Sequence, residues 1–461
     1  MKQHNTHPFG FRDKLGYLFG DFGNDFTFIL SSSFLLKFYT DVMGMDPAVV
    51  GVIMMVARFV DAFTDVTMGR ICDRSRVTAA GKFKPWLLRM CGPVAISSFL
   101  IYQSSLAHMS MAFKIGYLAV TYILWGSVFY TAVNIPYGSM ASAISADPSD
   151  RQSLSTFRSL GGTLAGLVIG AGVPLLAYDK IDGREVLNGN RFTVIAGVFS
   201  LLAVICYLLC YQLTAERVLL KEIDHKTDNH IGQMLHNALR NRALLSIISA
   251  SVMMLLSQLT LQSMANYLYP NYYRNIAAQT VSTLAMVGSM LIAGAVAKPL
   301  SVRFGKAELS AAANILAAAV STVLFFIRPE NVWVFVAIQS ISWLGLGIFS
   351  MVTWALITDV IDDSELKNGI REDGSIYALY SFARKLGQAA SAGLTGFLLT
   401  AIGYTESTAF DTVVTNGIYS IATIVPAIGF SLLALILWFW YPLHKKQVMN
   451  NILALKKKHE S

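Results

Sequence analysis

A chain of 461 residues that is 54% hydrophobic and only 14% charged departs from soluble globular composition, in which about 25% of residues are charged. It reads as an all-α polytopic membrane protein. The net charge of +8 does not point to nucleic acid, because Lys and Arg cluster in short segments between apolar runs, where the positive-inside rule places them.

Runs long enough to cross about 30 Å of hydrocarbon are predicted near 15–43, 47–72, 86–106, 112–141, 157–178, 192–213, 244–269, 279–302, 308–328, 332–361, 374–401 and 416–441. The charged loop at 214–243 divides them into an N-terminal six-helix half, 1–213, and a C-terminal six-helix half, 244–443, with a basic tail at 444–461. Alternating the loops puts most of the positive charge on the side of both termini, which are therefore expected to be cytoplasmic. The polar start MKQHNTHPFGFRDK before a long apolar run predicts an uncleaved first span. Cys72, Cys91, Cys206 and Cys210 form no CxxC pair and have no histidine at ligand spacing, so neither a disulfide nor a zinc site is expected.

In chain order, the first span carries Asp21 and Asp25 in GDFGNDF, four apart and so on one helix face. Asp21 fits an interfacial cap or a site equally well, whereas Asp25 lies deeper and is expected to accept hydrogen bonds from a polar solute. The second span places Arg58, Asp61, Thr64 and Asp65 on one face. An ionisable group at mid-bilayer costs about 2.5–3.5 kcal/mol even on the insertion scale, so this face must line an interior or a watery cavity. One arginine cannot neutralise two aspartates, which leaves a carboxylate for a proton, a sodium ion or a basic group on another helix. All eight histidines fall outside the spans or at their edges, so any proton relay must use carboxylates.

The loop that follows, MGRICDRSRVTAAGKFKPW, is echoed by KPLSVRFGKAEL after the eighth span. Asn134 sits in a fourth span interrupted by NIP and YG, and Arg158 lies a turn or two inside the fifth. The tenth span ends in TDVIDDSEL, where Asp359, Asp362 and Glu365, with Asp363, oppose the helix dipole. A cytoplasmic gate is the expected reason, with these acids meeting Asp73, Arg74 and the basic groups of the 70–84 loop. In the eleventh span, Arg384 and Lys385 lie deep, near Tyr377; such cations need acidic partners or an anionic ligand. Lys385 is the expected counter-charge to the aspartates of the first two spans. No Walker A, GxSxG or HExxH motif is present, so catalysis is not expected.

YLFGDFGNDF, LLKFYTDVMG, ARFVDAFTDVTMGRICDRSR with GKFKPW, VNIPYGSM, WALITDVIDDSE and GIREDGSIYALYSFARKLGQA together resemble the glycoside-pentoside-hexuronide:cation symporters, a branch of the major facilitator superfamily that includes the melibiose and glucuronide permeases. The resemblance covers essentially the whole chain. It implies the major facilitator fold, twelve transmembrane helices in two six-helix halves, and a multi-pass protein of the bacterial cytoplasmic (inner) membrane. It also implies roles for individual residues. Asp25 and Arg158 fall on sugar-contacting positions, Asp61 and Asp65 on cation-binding ones, and Lys385 on a lysine near both. Asn134 stands where a third acid flanks the cation in the melibiose permease, and Thr64 replaces an asparagine. Fewer carboxylates suit sodium less well, so H+ is favoured over Na+ as the coupling cation; Asp61 and Asp65 would hold a metal only under sodium coupling.

The expected function is symport of a glycoside, pentoside or hexuronide by alternating access, with Asp25, Arg158, Asn134, Tyr377, Lys385 and Arg384 binding substrate and Asp61, Asp65, Thr64 and Lys385 coupling the cation. A lysolipid or amphiphile carrier of the same fold is the alternative, and a non-transporting membrane receptor a remoter one. Membrane lipid and a small sugar are the expected partners, no cofactor beyond the cation is needed, and the chain is expected to work as a monomer.

Overall fold

The computed structural model describes residues 7–218, 240–368 and 373–460. Most of the 214–243 loop, with Lys221 and Lys226, and part of the GIREDG motif lie outside these. Thirteen helices are present among the described residues. In the first half they are α1 (Phe11–Asp41), α2 (Pro47–Arg74), α3 (Lys84–Ile101), α4 (Met111–Ile144), α5 (Pro148–Ala177) and α6 (Gly189–Leu213). There follow α7 (Arg242–Tyr272), α8 (Ile276–Phe304), α9 (Lys306–Ile327), α10 (Val332–Asn368), α11 (Asp373–Ala401) and α12 (Thr412–Trp440). A final helix, α13 (Lys445–Glu460), occupies the basic tail.

Eight of these are long and apolar enough to cross a membrane on composition alone. The four others that match predicted spans are α1, α2, α3 and α11. Three of them, α1, α2 and α11, carry the ionisable groups singled out above, so the same residues that lower their hydropathy mark their function.

Local sequence explains where the helices begin. Asp46 precedes Pro47 and accepts from the backbone N–H of Ala48 at 2.8 Å, so a cap and a first-turn proline start α2 together. Asp147 and Pro148 repeat this at α5. Asn188, Asn241 and Asn275 cap α6, α7 and α8 through their side-chain oxygens.

Between α5 and α6 the chain forms a small hairpin, β1 (Tyr178–Ile181) and β2 (Arg184–Leu187), paired antiparallel with Tyr178 opposite Leu187. It is a small connection between two helices of an otherwise all-helical fold. Its two-residue turn, Asp182–Gly183, has positive φ at both positions, as a type I′ turn requires.

The chain divides into two compact units. Among the described residues, one comprises those up to 218 together with Leu399–Ala409, and the other comprises 240–398 and those from Phe410 onward. In the first, α1 packs on α5 and α6, α2 on α4, and α3 on α4 and α6. In the second, α7 packs on α12, α8 on α10, and α9 on α10 and α12, so the pairing pattern recurs. Gly161 lets α5 lie close on α1, since a Cβ there would fall 2.5 Å from the Leu18 carbonyl oxygen.

The turn between α2 and α3 is fixed by Glu216, in the segment after α6. Its carboxylate accepts the backbone N–H groups of Lys82, Phe83 and Lys84 at 2.7, 2.9 and 2.7 Å. An acid thus satisfies the open donors at the start of α3 and sits at the positive end of its dipole. Beside it, buried Asp13 of α1 takes Arg217 at 2.9 and 3.0 Å. Basic residues of the turn are therefore tied to backbone oxygens of the same unit, with the Lys84 ammonium on Thr214 and the Lys82 ammonium on Asp73.

Candidate functional site

The polar residues of the first unit gather where α1, α2, α4 and α5 face one another. On α1, Asp21 receives the Arg158 Nε of α5 at 3.0 Å. The same guanidinium lies 5.2 Å from the centre of the Tyr137 ring, a cation–π distance. Tyr137 is in turn fixed by stacking on Tyr17 at 4.6 Å and by donating its hydroxyl to the Tyr17 carbonyl at 2.6 Å.

Asp25, one turn along α1 and half-buried, makes no hydrogen bond or ion pair among the described residues. It and Asp21 both face Gly162 of α5, where a Cβ would come within 2.6 Å of the Asp25 Oδ2 and 3.1 Å of the Asp21 Oδ2. Glycine at 162 is what allows two carboxylates to share that wall. The structure thus takes Asp21 out of the role of a helix-end cap and makes it the partner of Arg158.

On α2, Asp61 is 7% exposed and accepts from Arg58 Nη1 at 3.1 Å and from the Ser127 hydroxyl at 2.5 Å. Asp65, one turn further, accepts from the Thr131 hydroxyl at 2.8 Å. Both hydroxyls belong to or adjoin a π-helical stretch of α4, Leu124–Tyr130, the kind of local widening common at functional positions. Thr64 is half-buried and donates to the Asp61 carbonyl, not to a carboxylate. Arg58 is held by aromatic rings, 4.8 Å from the centre of Phe28, so its charge is directed at Asp61 by packing as well as by the ion pair.

Asn134 stands apart from this pair. Its Oδ1 accepts from Asn24 Nδ2 at 3.5 Å, while the Asn24 Oδ1 accepts from the Tyr207 hydroxyl at 2.8 Å. The fourth-helix position expected beside the cation is here joined to a neutral amide chain running from α4 through α1 to α6.

In the second unit, Tyr377 stacks on Trp354 with ring centres 5.3 Å apart, and the Arg384 guanidinium lies 5.8 Å from both the Trp354 and Tyr380 rings. Tyr380 is anchored by Ser251 at 3.0 Å. Lys385 follows on α11, half-buried and engaged by neighbours. At the end of α10, Asp359 is met by Lys306 of α9 at 2.6 Å, and Asp363 by Lys367 at 2.6 Å and by Asn451. The acid expected to reach the 70–84 loop thus has a partner inside its own unit. Asp362 and Glu365 adjoin it, half-buried and buried respectively, and both are engaged. Asp73 and Arg74 are exposed at the end of α2.

Ser127, Tyr207, Trp354 and Glu216 are missing from the residues read from sequence. Serine and tyrosine in apolar spans are common, and nothing local distinguishes these from hydroxyls bonded back to their own helix. Asp21 carried a usable signal, its i,i+4 relation to Asp25.

This polar wall can accept hydroxyl protons at Asp25, meet an anion at Arg158, and hold a cation or proton at Asp61 and Asp65. Comparison with known proteins places the chain in a family. Residues 16–445 match the family described as MFS/sugar transport protein. The chain is 32% identical over 439 residues to the uncharacterized symporter YjmB of Bacillus subtilis, covering 95% of this chain and 93% of that protein. It is 31% identical over 447 residues to the glucuronide carrier protein homolog of Escherichia coli, covering 95% and 93%. A crystal structure of a bacterial homolog of the human lysosomal transporter Spinster superposes with a TM-score of 0.66 at 10% identity, covering 95% of this chain and 97% of that one, a likeness of fold. With its helical architecture and its match over almost its whole length, the chain belongs to the MFS/sugar transport protein family of multi-pass membrane transporters.

Proposed function

We propose that this chain takes up a glycoside, pentoside or hexuronide by symport with a cation, protons being favoured over sodium. The observation that carries the reading is Asp25, a carboxylate with no partner among the described residues, beside the Asp21–Arg158 pair and against the bare backbone of Gly162. An ionised carboxylate only accepts hydrogen bonds, and so suits neighbouring sugar hydroxyls. Arg158 spends Nε on Asp21 and is 39% exposed; its planar fork suits a sugar carboxylate. The Escherichia coli relative named as a glucuronide carrier homolog supports a hexuronide within this class. Asn134, Tyr377, Arg384 and Lys385 complete the substrate contacts in this reading.

Asp61 and Asp65 are the coupling groups. Arg58 already offsets Asp61, and Asn134 is directed to Asn24, which supports a proton more than a sodium ion needing several charged oxygens. Thr64 and Lys385 stay next to this step. Protonation favours the sugar-binding form, and the sugar in turn raises proton affinity by the same factor. The halves 1–213 and 244–443, joined by the 214–243 loop, alternate access with both termini and the 444–461 tail cytoplasmic. Asp73, Arg74, Asp359, Asp362 and Glu365 form the cytoplasmic gate, the protein works as a monomer, and membrane lipid surrounds it.

The test is uptake of glucuronides, xylosides and galactosides into proteoliposomes under an imposed pH gradient or an imposed sodium gradient. Accumulation of a glucuronide driven by pH alone supports the assignment. Accumulation of none of these, or accumulation driven only by sodium, refutes it in its substrate or its cation part respectively.

A further inference from the structure

Helices α9 and α12 leave between them a groove of about 600 Å³, within the span of about 300–1,000 Å³ typical of small-molecule sites. It is lined by the small Ala318, Ala319 and Ala434 together with Ile315, Leu435 and Phe439. Two hydroxyls face it, but Thr322 donates to the Ala318 carbonyl at 2.8 Å and Ser431 to the Ala427 carbonyl at 2.7 Å. Both are spent inside their own helices. A sugar or a row of waters would find little to bond there, and both helices are apolar enough to lie in hydrocarbon.

The groove follows α12 from Ser431 to Phe439, about 12 Å at 1.5 Å per residue. At the Phe439 end the helix turns π-helical over Ile436–Trp440, where Trp438, Phe439 and Trp440 are exposed, as side chains at a membrane interface often are. Arg242, the first residue of α7, is pinned at this end by donating Nε to the Trp440 carbonyl at 3.0 Å and Nη2 to the Phe439 carbonyl at 3.2 Å. Its Nη1 has no bond, and no carboxylate pairs with it among the described residues. An apolar slot thus ends beside a positioned, exposed guanidinium with no carboxylate partner among the described residues.

We propose that this groove is a binding site for one anionic phospholipid, with an acyl chain between α9 and α12 and the phosphate at Arg242. Charge complementarity selects the headgroup, since a zwitterionic lipid brings its own cation to the guanidinium. Small residues in the lining select a chain over a bulky ring.

The experiment is native mass spectrometry of the full-length protein released from nanodiscs of equal phosphatidylglycerol and phosphatidylcholine. The wild type is expected to retain one phosphatidylglycerol in at least about tenfold preference over phosphatidylcholine, Arg242→Gln to lose the preference, and Ala434→Phe to retain neither lipid. Thermal unfolding of each variant is measured alongside, and Arg242→Lys, which keeps the charge, is expected to keep most of the preference if the fold is intact. Equal retention of the two lipids by wild type, retention unchanged in both Arg242→Gln and Ala434→Phe, or a second protein copy in place of lipid overturns the proposal.

Discussion

Arg158 is committed to Asp21, Nε to Oδ1 at 3.0 Å, while Asp25 makes no hydrogen bond or ion pair among the described residues. The two acids sit one turn apart on α1 and face the same glycine, yet they stand in opposite electrostatic situations. Asp21 fixes the arginine, while Asp25 presents an open acceptor. Loss of either should therefore damage the protein in a different way.

Asp21→Asn leaves Arg158 without its counter-charge. Breaking a buried pair costs about 3–5 kcal/mol, and the partial exposure of Arg158 reduces this to about 1–3 kcal/mol after screening. The expected outcome is a lower thermal midpoint with weakened transport. Asp25→Asn removes a carboxylate with no hydrogen bond or ion pair among the described residues, so the thermal midpoint should be unchanged or higher while sugar affinity falls at least about tenfold. Calorimetry and binding measured on both variants distinguish the two roles, and equal destabilisation by both would contradict them.

Asp61→Asn keeps the size of the side chain and its reach to Ser127, but removes the charge. Uphill accumulation should be abolished while downhill exchange of sugar across the vesicle persists. Undiminished accumulation would sink the coupling role. Ser127→Ala should weaken uphill accumulation, because it removes the hydroxyl that donates to Asp61 from α4; accumulation identical to wild type would leave Ser127 with packing only.

Gly162→Ala should act at the sugar site and not on the fold as a whole. The added methyl meets side-chain oxygens of Asp25 and Asp21, so the carboxylates must move. Sugar affinity is expected to drop by about tenfold or more, the scale of about 1–3 kcal/mol for overpacking, with driving-cation preference unaltered. Equilibrium sugar binding, together with uptake driven by a pH gradient or by a sodium gradient, checks both halves of the statement.

Glu216→Ala removes the acceptor for three backbone N–H groups at the start of α3. Losing a charged cap costs about 1–3 kcal/mol, and the amides of Lys82, Phe83 and Lys84 should exchange faster with deuterium. Unchanged protection at those amides would show that the turn is held by other bonds.

Arg74→Ala should lower the turnover of transport and spare the choice of sugar, because Arg74 is exposed at the end of α2, two turns or more beyond Asp65. A change in which sugar is accepted would remove the residue from the gate.

What the sequence by itself determined is local. The long apolar runs, the aspartate–proline and asparagine starts of helices, and the i,i+4 pairing of Asp21 with Asp25 and of Asp61 with Asp65 follow from periods of a single helix, and the order of motifs identified the family. The Asp182–Gly183 dipeptide is a local turn signal that the all-helical reading passed over. Tertiary structure alone decided which acid takes Arg158, since the bond joins residues 137 positions apart and depends on how α1 and α5 are rotated about their axes. The same holds for Ser127 and Thr131 on the aspartates of α2, for Asn134 on Asn24, for Lys306 on Asp359, and for Glu216 on the start of α3. A helix period states which residues share a face, but the facing partner is chosen by packing, where a bare glycine such as Gly162 decides how closely two faces come.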